Sequence, residues 1–219
     1  MVKQMKKHQK DISLALCLLT AFVVWTLILC CVDVQAIGPL GSKVGLAGMN
    51  RWFHQMTGVN FGLYVITDWL SLIPIGICLL FGVLGLRQWI KRNSLLKVDQ
   101  NILLLGVFYL LVVLIFLIFE ELSINYRPIL IEGCLEASYP SSTTLLVLCT
   151  MITAQDQLKV RLDNNRFKKL MLICLNIFTA FMIIGRLLSG VHWISDIIGA
   201  IFLGSGLVAL YRSFSDFSK

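Results

Sequence analysis

Three short stretches hold the residues with chemistry in them. "NYRPIL" carries Arg127 and Pro128, "YPSSTT" carries Pro140, Ser141, Ser142 and Thr143, and "GRLLSGVHWISD" carries Arg186, His192 and Asp196. His192 and Asp196 stand at i and i+4, so on a helix they share a face and the carboxylate can orient the imidazole. A histidine steered in this way can attack phosphorus or move a proton. Two guanidiniums can clamp the oxygens of a phosphate, and a helix N-terminus bearing serines offers free backbone N–H groups to the same anion. Each stretch alone has a plainer reading: a loop dipeptide, a proline–serine helix start, an arginine snorkelling from a helix end. His192 and Asp196 resist one, because an Asp inside a bilayer helix costs about 2.5–3.5 kcal/mol on insertion scales and is usually paired. The sequence has no metal-ligand cluster and no Gly-rich nucleotide loop, so the chemistry expected is phosphoryl transfer without metal or cofactor.

The elements that must position these residues are membrane helices. Of 219 residues 58% are hydrophobic and only 14% charged, with a mean hydropathy of +0.83, more apolar surface than a soluble domain of this size can hide. Six spans are expected, at about 12–32, 64–86, 101–119, 140–155, 170–189 and 193–211. The fold class is therefore all-α, a multi-pass integral membrane protein forming one membrane domain over 1–219, with residues 1–11 as a cytoplasmic basic tail. The net charge of +7 is read as topology, with no aromatic-interleaved patch to suggest nucleic acid. Lys3, Lys6, Lys7 and Lys10 precede the first span; Arg87, Lys91, Arg92 and Lys97 follow the second; Lys159, Arg161, Arg166, Lys168 and Lys169 follow the fourth. Such alternation predicts cytoplasmic loops at these places and both termini in the cytoplasm. The loops 33–63 and 120–139 and the turn 189–192 then lie outside, and all three chemical stretches meet at that surface.

The first apolar run is about twice the length of a secretory h-region, so a retained anchor is expected. In the first external loop Leu46, Met49, Phe53 and Met56 fall on one helical face, with Asn50, Arg51, His54 and Gln55 elsewhere; this predicts a short helix lying in the interface. The cysteines, at 17, 30, 31, 78, 134, 149 and 174, form no CxxC pair and suggest neither disulfides nor a metal site. The fourth span is short and polar at its start, as expected where a helix lines a cavity instead of facing lipid.

The three stretches together resemble the type 2 phosphatidic acid phosphatase superfamily of membrane lipid phosphatases, whose site is related to that of vanadium haloperoxidases. The family pattern is Kx6RP, then PSxH, then SRx5Hx3D. Here it reads Arg127-Pro128, Pro140-Ser141-Ser142-Thr143, and Gly185-Arg186 with His192 and Asp196 at the family spacing. The resemblance covers about residues 60–211. It implies that His192 is the nucleophile of a phosphohistidine and Asp196 its orienting partner, the catalytic pair. It implies that Arg127, Arg186 and Ser141 hold the phosphate, with Ser142 and Thr143 completing the substrate-binding helix start.

Three positions depart from the pattern: the first-motif lysine is Glu120, the second-motif histidine is Thr143, and the serine before the arginine is Gly185. The histidine normally protonates the leaving group, a task beyond a threonine hydroxyl and worth ~10²–10⁴-fold. Glu120 or Glu121 offers a proton in its place if the loop folds inward. When a diphosphate is cleaved the leaving group is itself a phosphate and needs no proton, so Thr143 favours a lipid diphosphate such as undecaprenyl diphosphate. The expected function is thus a lipid phosphate or diphosphate phosphatase of the plasma membrane, of bacterial type, acting at the outer face. Its expected partners are a lipid phosphate substrate and membrane lipids, with no nucleic acid. The alternatives are a lipid-diphosphate phosphotransferase and a non-catalytic relative that binds an anionic lipid headgroup.

Overall fold

The computed structural model describes residues 2–163 and 165–215; the side chains of Lys3, Lys6 and Lys7, in the expected basic tail, lie outside the described set. The chain is a helical bundle: α1 (Val2–Cys31), α2 (Ala47–Thr57), α3 (Phe61–Leu70), α4 (Leu72–Arg92), α5 (Gln100–Leu122), α6 (Ser142–Arg161), α7 (Arg166–Leu188) and α8 (Ile194–Phe214). A two-stranded ribbon, β1 (Gln35–Ala36) against β2 (Lys43–Val44), is antiparallel with Gln35 opposite Val44. The backbone of the basic stretch before the first apolar run is helical and continuous with that run, so α1 begins well before residue 12.

Among the described residues five helical segments are long and apolar enough to cross a membrane: His8–Cys31, Phe61–Arg92, Gln100–Leu122, Arg166–Leu188 and Ile194–Phe214. The second of these is broken at Ser71 into α3 and α4. Pro74 explains the break, since it has no N–H to donate to the carbonyl of Leu70 and helices kink where that bond is lost. The expected fourth span, α6, is not among the five. Its inward surface carries Thr143, Thr144, Thr150, Thr153, Gln155, Asp156 and Gln157, all buried, and it packs against α4, α5, α7 and α8. Polar groups are tolerated there because protein, not lipid, surrounds them.

Helix directions follow from the bonds at their ends. Near the start of α1, His8 Nδ1 donates to the carbonyl of Ser213 at 2.6 Å, and near its end Trp25 Nε1 donates to the carbonyl of Ser195 at 3.1 Å. The helices α1 and α8 are therefore antiparallel neighbours. The start of α1, the 93–99 connection, the end of α6 and the end of α8 gather at one end of the bundle, linked by Arg161 to Asp99 and by Gln157 to Tyr211. The opposite end holds α2, the 123–141 segment and the turn between α7 and α8. The core between them is built from Phe22, Leu105, Phe108, Tyr139, Leu145 and Leu203.

A short helix forms where expected, as α2, but with a different face inward. Its buried residues are Ala47 and Asn50, while Met56 is exposed. Hydrophobic periodicity misassigns this face because Asn50 finds polar partners on α8, and a satisfied amide can be buried.

Candidate active site

The turn between α7 and α8 holds His192 and is fixed from three sides. Gly190 sits at φ +69°, and a Cβ there would fall 2.1 Å from the carbonyl oxygen of Gly58, so only glycine lets the 58–60 segment lie on the turn. Asn60 N donates to Ser189 O at 3.0 Å and His54 Nε2 to Gly190 O at 3.1 Å. From the third side the 123–141 segment folds as a small hairpin, with Tyr126 opposite Ala137 and Ile131 opposite Cys134. Trp193 Nε1 pins it by donating to Tyr126 O at 2.7 Å.

His192 is 3% exposed. Arg127 Nη1 lies 3.4 Å from His192 Nε2. A guanidinium can only donate, so Nε2 bears the lone pair and Nδ1 the proton. Nδ1 is buried without a hydrogen-bond partner and stands 3.7 Å from Asp196 Oδ2. That is an electrostatic contact longer than a hydrogen bond. Burial lowers the His192 pKa to about 4; the Asp196 carboxylate opposes this shift and the Arg127 charge adds to it. The imidazole is therefore neutral at physiological pH, the form a nucleophile needs.

Asp196 is fully buried and held by its own helix start and by two distant amides. Its Oδ2 accepts from Trp193 N at 3.0 Å, and its Oδ1 from Asn125 Nδ2 at 3.3 Å and Ser195 Oγ at 3.4 Å. Asn50 in turn binds Ser195, through Nδ2 to Oγ at 2.9 Å and through Oδ1 from the Ser195 N–H at 3.2 Å. Sequence reasoning missed Asn50 and Asn125, since nothing local ties residues so far apart to Asp196.

The two arginines are each paired with a carboxylate outside the recognised stretches. Arg127 Nε is 2.9 Å from Glu136 Oε2 across the hairpin, out of line for a hydrogen bond. Arg186 is 2% exposed. Its Nη2 donates to Asp68 Oδ1 at 2.8 Å and to Thr143 Oγ1 at 2.7 Å, and the Tyr64 ring lies 5.0 Å from its Cζ. Its Nε and Nη1 are buried with no acceptor. Thr143, where the pattern has its acid histidine, thus serves as an acceptor for Arg186. Asp68 also went unnoticed, although a signal existed: it is the only acidic residue between 61 and 92.

The expected helix start is real but shifted. Helix α6 begins at Ser142, with Ser141 as its N-cap and Pro140 just ahead. Ser141 faces inward: its N–H donates to Asp196 O at 3.2 Å and its Oγ to Thr144 Oγ1 at 3.1 Å, tying α6 to α8. Ser142 instead lines a narrow cleft together with Pro140, Tyr139, Arg127, His192 and Glu120. Glu120, on the last turn of α5, thus stands at the same cleft as the imidazole, whereas Glu121 does not line it. Among the described residues no group of three or more His, Cys, Asp or Glu side chains could hold a metal ion.

Comparison with known proteins bears on the family and the fold. A profile of the PAP2 superfamily matches residues 105–218, just over half of the chain and including every motif residue named above. Among solved structures the chain is similar to a transmembrane PAP2-type phosphatidylglycerolphosphate phosphatase from Bacillus subtilis. The TM-score is 0.57 with 18% identity, covering 91% of this chain and 94% of that one, a likeness of fold. No curated relative matches significantly. With its helices, its motif order and its matched stretch taken together, the chain is an integral membrane protein that belongs to the PAP2 superfamily.

Proposed function

We propose that this protein is a metal-independent lipid phosphate phosphatase that works through a phosphohistidine on His192, with a lipid diphosphate such as undecaprenyl diphosphate as its preferred substrate class. The observation that carries the reading is the His192 imidazole, buried and neutral, with Nε2 turned to Arg127 and Nδ1 toward Asp196. Nε2 attacks phosphorus as the bond to the lipid-side oxygen breaks, giving phosphohistidine and the departing lipid. Water then attacks the same phosphorus, releasing inorganic phosphate and regenerating the imidazole. Asp196 stabilises the positive charge that grows on the ring. Arg127, the free N–H groups of Arg186 and the first turn of α6 at Ser142 meet the charge on the phosphoryl oxygens.

The leaving group decides between substrates. Thr143 Oγ1 accepts a hydrogen bond from Arg186 and has no acidity to lend, which supports a departing phosphate over a departing alkoxide. In membrane terms we place six spans, with α6 as the crossing shielded by protein, both termini in the cytoplasm and the cleft facing out. The basic residues that gather at the opposite end of the bundle support that orientation.

The test is phosphate release by the purified protein in detergent from a prenyl diphosphate, a prenyl monophosphate and phosphatidate. Hydrolysis of the diphosphate that disappears in His192→Ala is the expected result. Phosphatidate as the better substrate would overturn the leaving-group argument. Transfer of labelled phosphorus to an added acceptor lipid marks a phosphotransferase, and anion binding without turnover marks a non-catalytic relative.

A further inference from the structure

We infer that Asp68 is a positioning residue for the phosphoryl site: it fixes the Arg186 guanidinium so that Nε and Nη1 are presented to the substrate anion. The inference rests on the phosphatase reading above, and Asp68 lies outside the stretch 105–218 matched to the family. Asp68 Oδ1 and Thr143 Oγ1 converge on one nitrogen of Arg186, Nη2, at 2.8 and 2.7 Å. With Tyr64 beneath the guanidinium, these contacts leave the group no freedom to turn. The two remaining donor nitrogens are buried and without acceptors in a side chain that is 2% exposed. Buried N–H groups of a cation are normally satisfied. Donors held in place and left unmatched are what an anion site looks like before its anion arrives.

The neighbouring backbone is shaped to bring Asp68 there. A Cβ on Gly185 would lie 2.7 Å from Thr67 Cγ2, so a serine at this position would push α3 away from α7. Glycine at 185 admits α3, and α3 carries Tyr64 and Asp68 to Arg186. The charge-reversed Glu120 removes one cation from the family pattern. A rigidly aimed Arg186 compensates, because a preorganised donor needs no reorganisation when charge develops. Asp68 is not offered as the missing acid: a carboxylate that neutralises a guanidinium gives up that pairing if it holds a proton. Its side chain is 56% exposed, and ionisable groups within membrane spans are rare and mostly paired or functional.

The experiment compares the full-length protein with Asp68→Asn, Asp68→Glu, Arg186→Lys and the double variant Asp68→Asn/Arg186→Lys. The readouts are kcat and KM on the diphosphate lipid and orthovanadate-induced thermal stabilisation. Asp68→Asn is expected to lower kcat on the order of 10²-fold, as for a group misplaced by about an ångström, and to weaken vanadate protection at least several-fold. Asp68→Glu, which keeps the charge, should recover part of both. In the Arg186→Lys background the second substitution should add less than a factor of about two, because both act through one group. Native kcat and vanadate affinity in folded Asp68→Asn protein would overturn the inference while leaving the phosphatase reading intact. So would the same loss from Asp68→Asn in both backgrounds. A native protein that neither turns over nor binds vanadate overturns both.

Discussion

The two ends of the bundle are both charged, yet they treat charge in opposite ways. At the end away from the cleft, buried Asp156 accepts from Arg212 Nε at 2.6 Å, Arg212 Nη2 at 3.0 Å and Lys159 Nζ at 3.1 Å. Asp99 there meets Gln88 at 2.8 Å and Arg92 at 2.9 Å, and Lys168 Nζ donates to the carbonyls of Lys159 and Leu162 at 2.8 and 3.1 Å. At the cleft end the charges are also paired, but donors are left over. Of the six buried side-chain nitrogen and oxygen atoms without a hydrogen-bond partner among the described residues, four belong to Arg127, Arg186 and His192. An unmatched buried donor costs about 1–3 kcal/mol. The saturated cluster around Asp156 reads as a structural lock, although Asp11 Oδ2 at the same end is buried without a partner, and the spare donors at the cleft end suit an anion.

If that contrast is right, substitutions at the cleft end of the bundle should remove activity and spare the fold. His192→Ala carries the largest expected effect, a loss of turnover on the order of 10⁴-fold or more, measured as phosphate released from a prenyl diphosphate. Arg127→Ala or Arg186→Ala should each cost on the order of 10²–10³-fold in kcat, as for a lost transition-state donor, with a thermal midpoint close to native.

The other end should answer in reverse. Asp156→Ala strands Arg212, whose side chain is 37% exposed. After discounting for that exposure the expected loss is about 2 kcal/mol of stability, read as a lower midpoint with kcat near native. A kcat collapse in Asp156→Ala would break the division between the two ends.

A smaller effect sharpens the role of the helix start. Thr143→His should raise monophosphate cleavage relative to diphosphate cleavage by about tenfold, a fraction of what a general acid can give. Glu120→Gln, compared with the native protein on the monophosphate, reports whether the carboxyl at the cleft already contributes a proton.

The pH response should be the mildest. His192 has its folded pKa depressed from 6.5 to about 4. The unfolded chain therefore binds more protons between these values, and stability falls as pH drops through that window. The nucleophile itself stays neutral until about pH 4, so kcat/KM should show no loss assignable to His192 between pH 7 and 5. An acid limb near 6.5 that moves with substitution of Arg127 would contradict the burial described here. Sidedness can be checked in the same preparations: cysteine at Leu96, an exposed position in the 93–99 connection, should react only from the cytoplasmic face.

Much of the molecule can be read from the sequence because it depends on neighbours along the chain. Apolar run length dictates membrane helices, and the alternating basic clusters do gather at one end of the bundle. Asp196 does stand beside His192, 3.7 Å from its Nδ1, but not on a shared helix face as expected, because His192 lies in the turn ahead of the α8 N-cap Trp193. One local rule misled for an identifiable reason. Helical periodicity turned Asn50 to the polar side, although its amide is satisfied by Ser195 and Gly45 and can be buried. The polarity that sets α6 apart from the five long apolar helices is met by protein, as in Tyr109 with Thr153 and Gln155 with Asn176.

What the sequence determined alone is therefore the class of molecule, the order of its polar stretches and the closeness of His192 to Asp196, since run length, chain order and a four-residue separation are all local. The tertiary structure alone decided which groups surround that pair. Asp68 reaches Arg186 across 118 residues and Asn50 reaches Ser195 across 145, and neither pairing leaves a local trace. Between membrane helices, close packing and hydrogen bonds, not apolar pattern, choose the partners, so a glycine at 185 and a threonine at 143 acquire their meaning only when α3 and α7 come together.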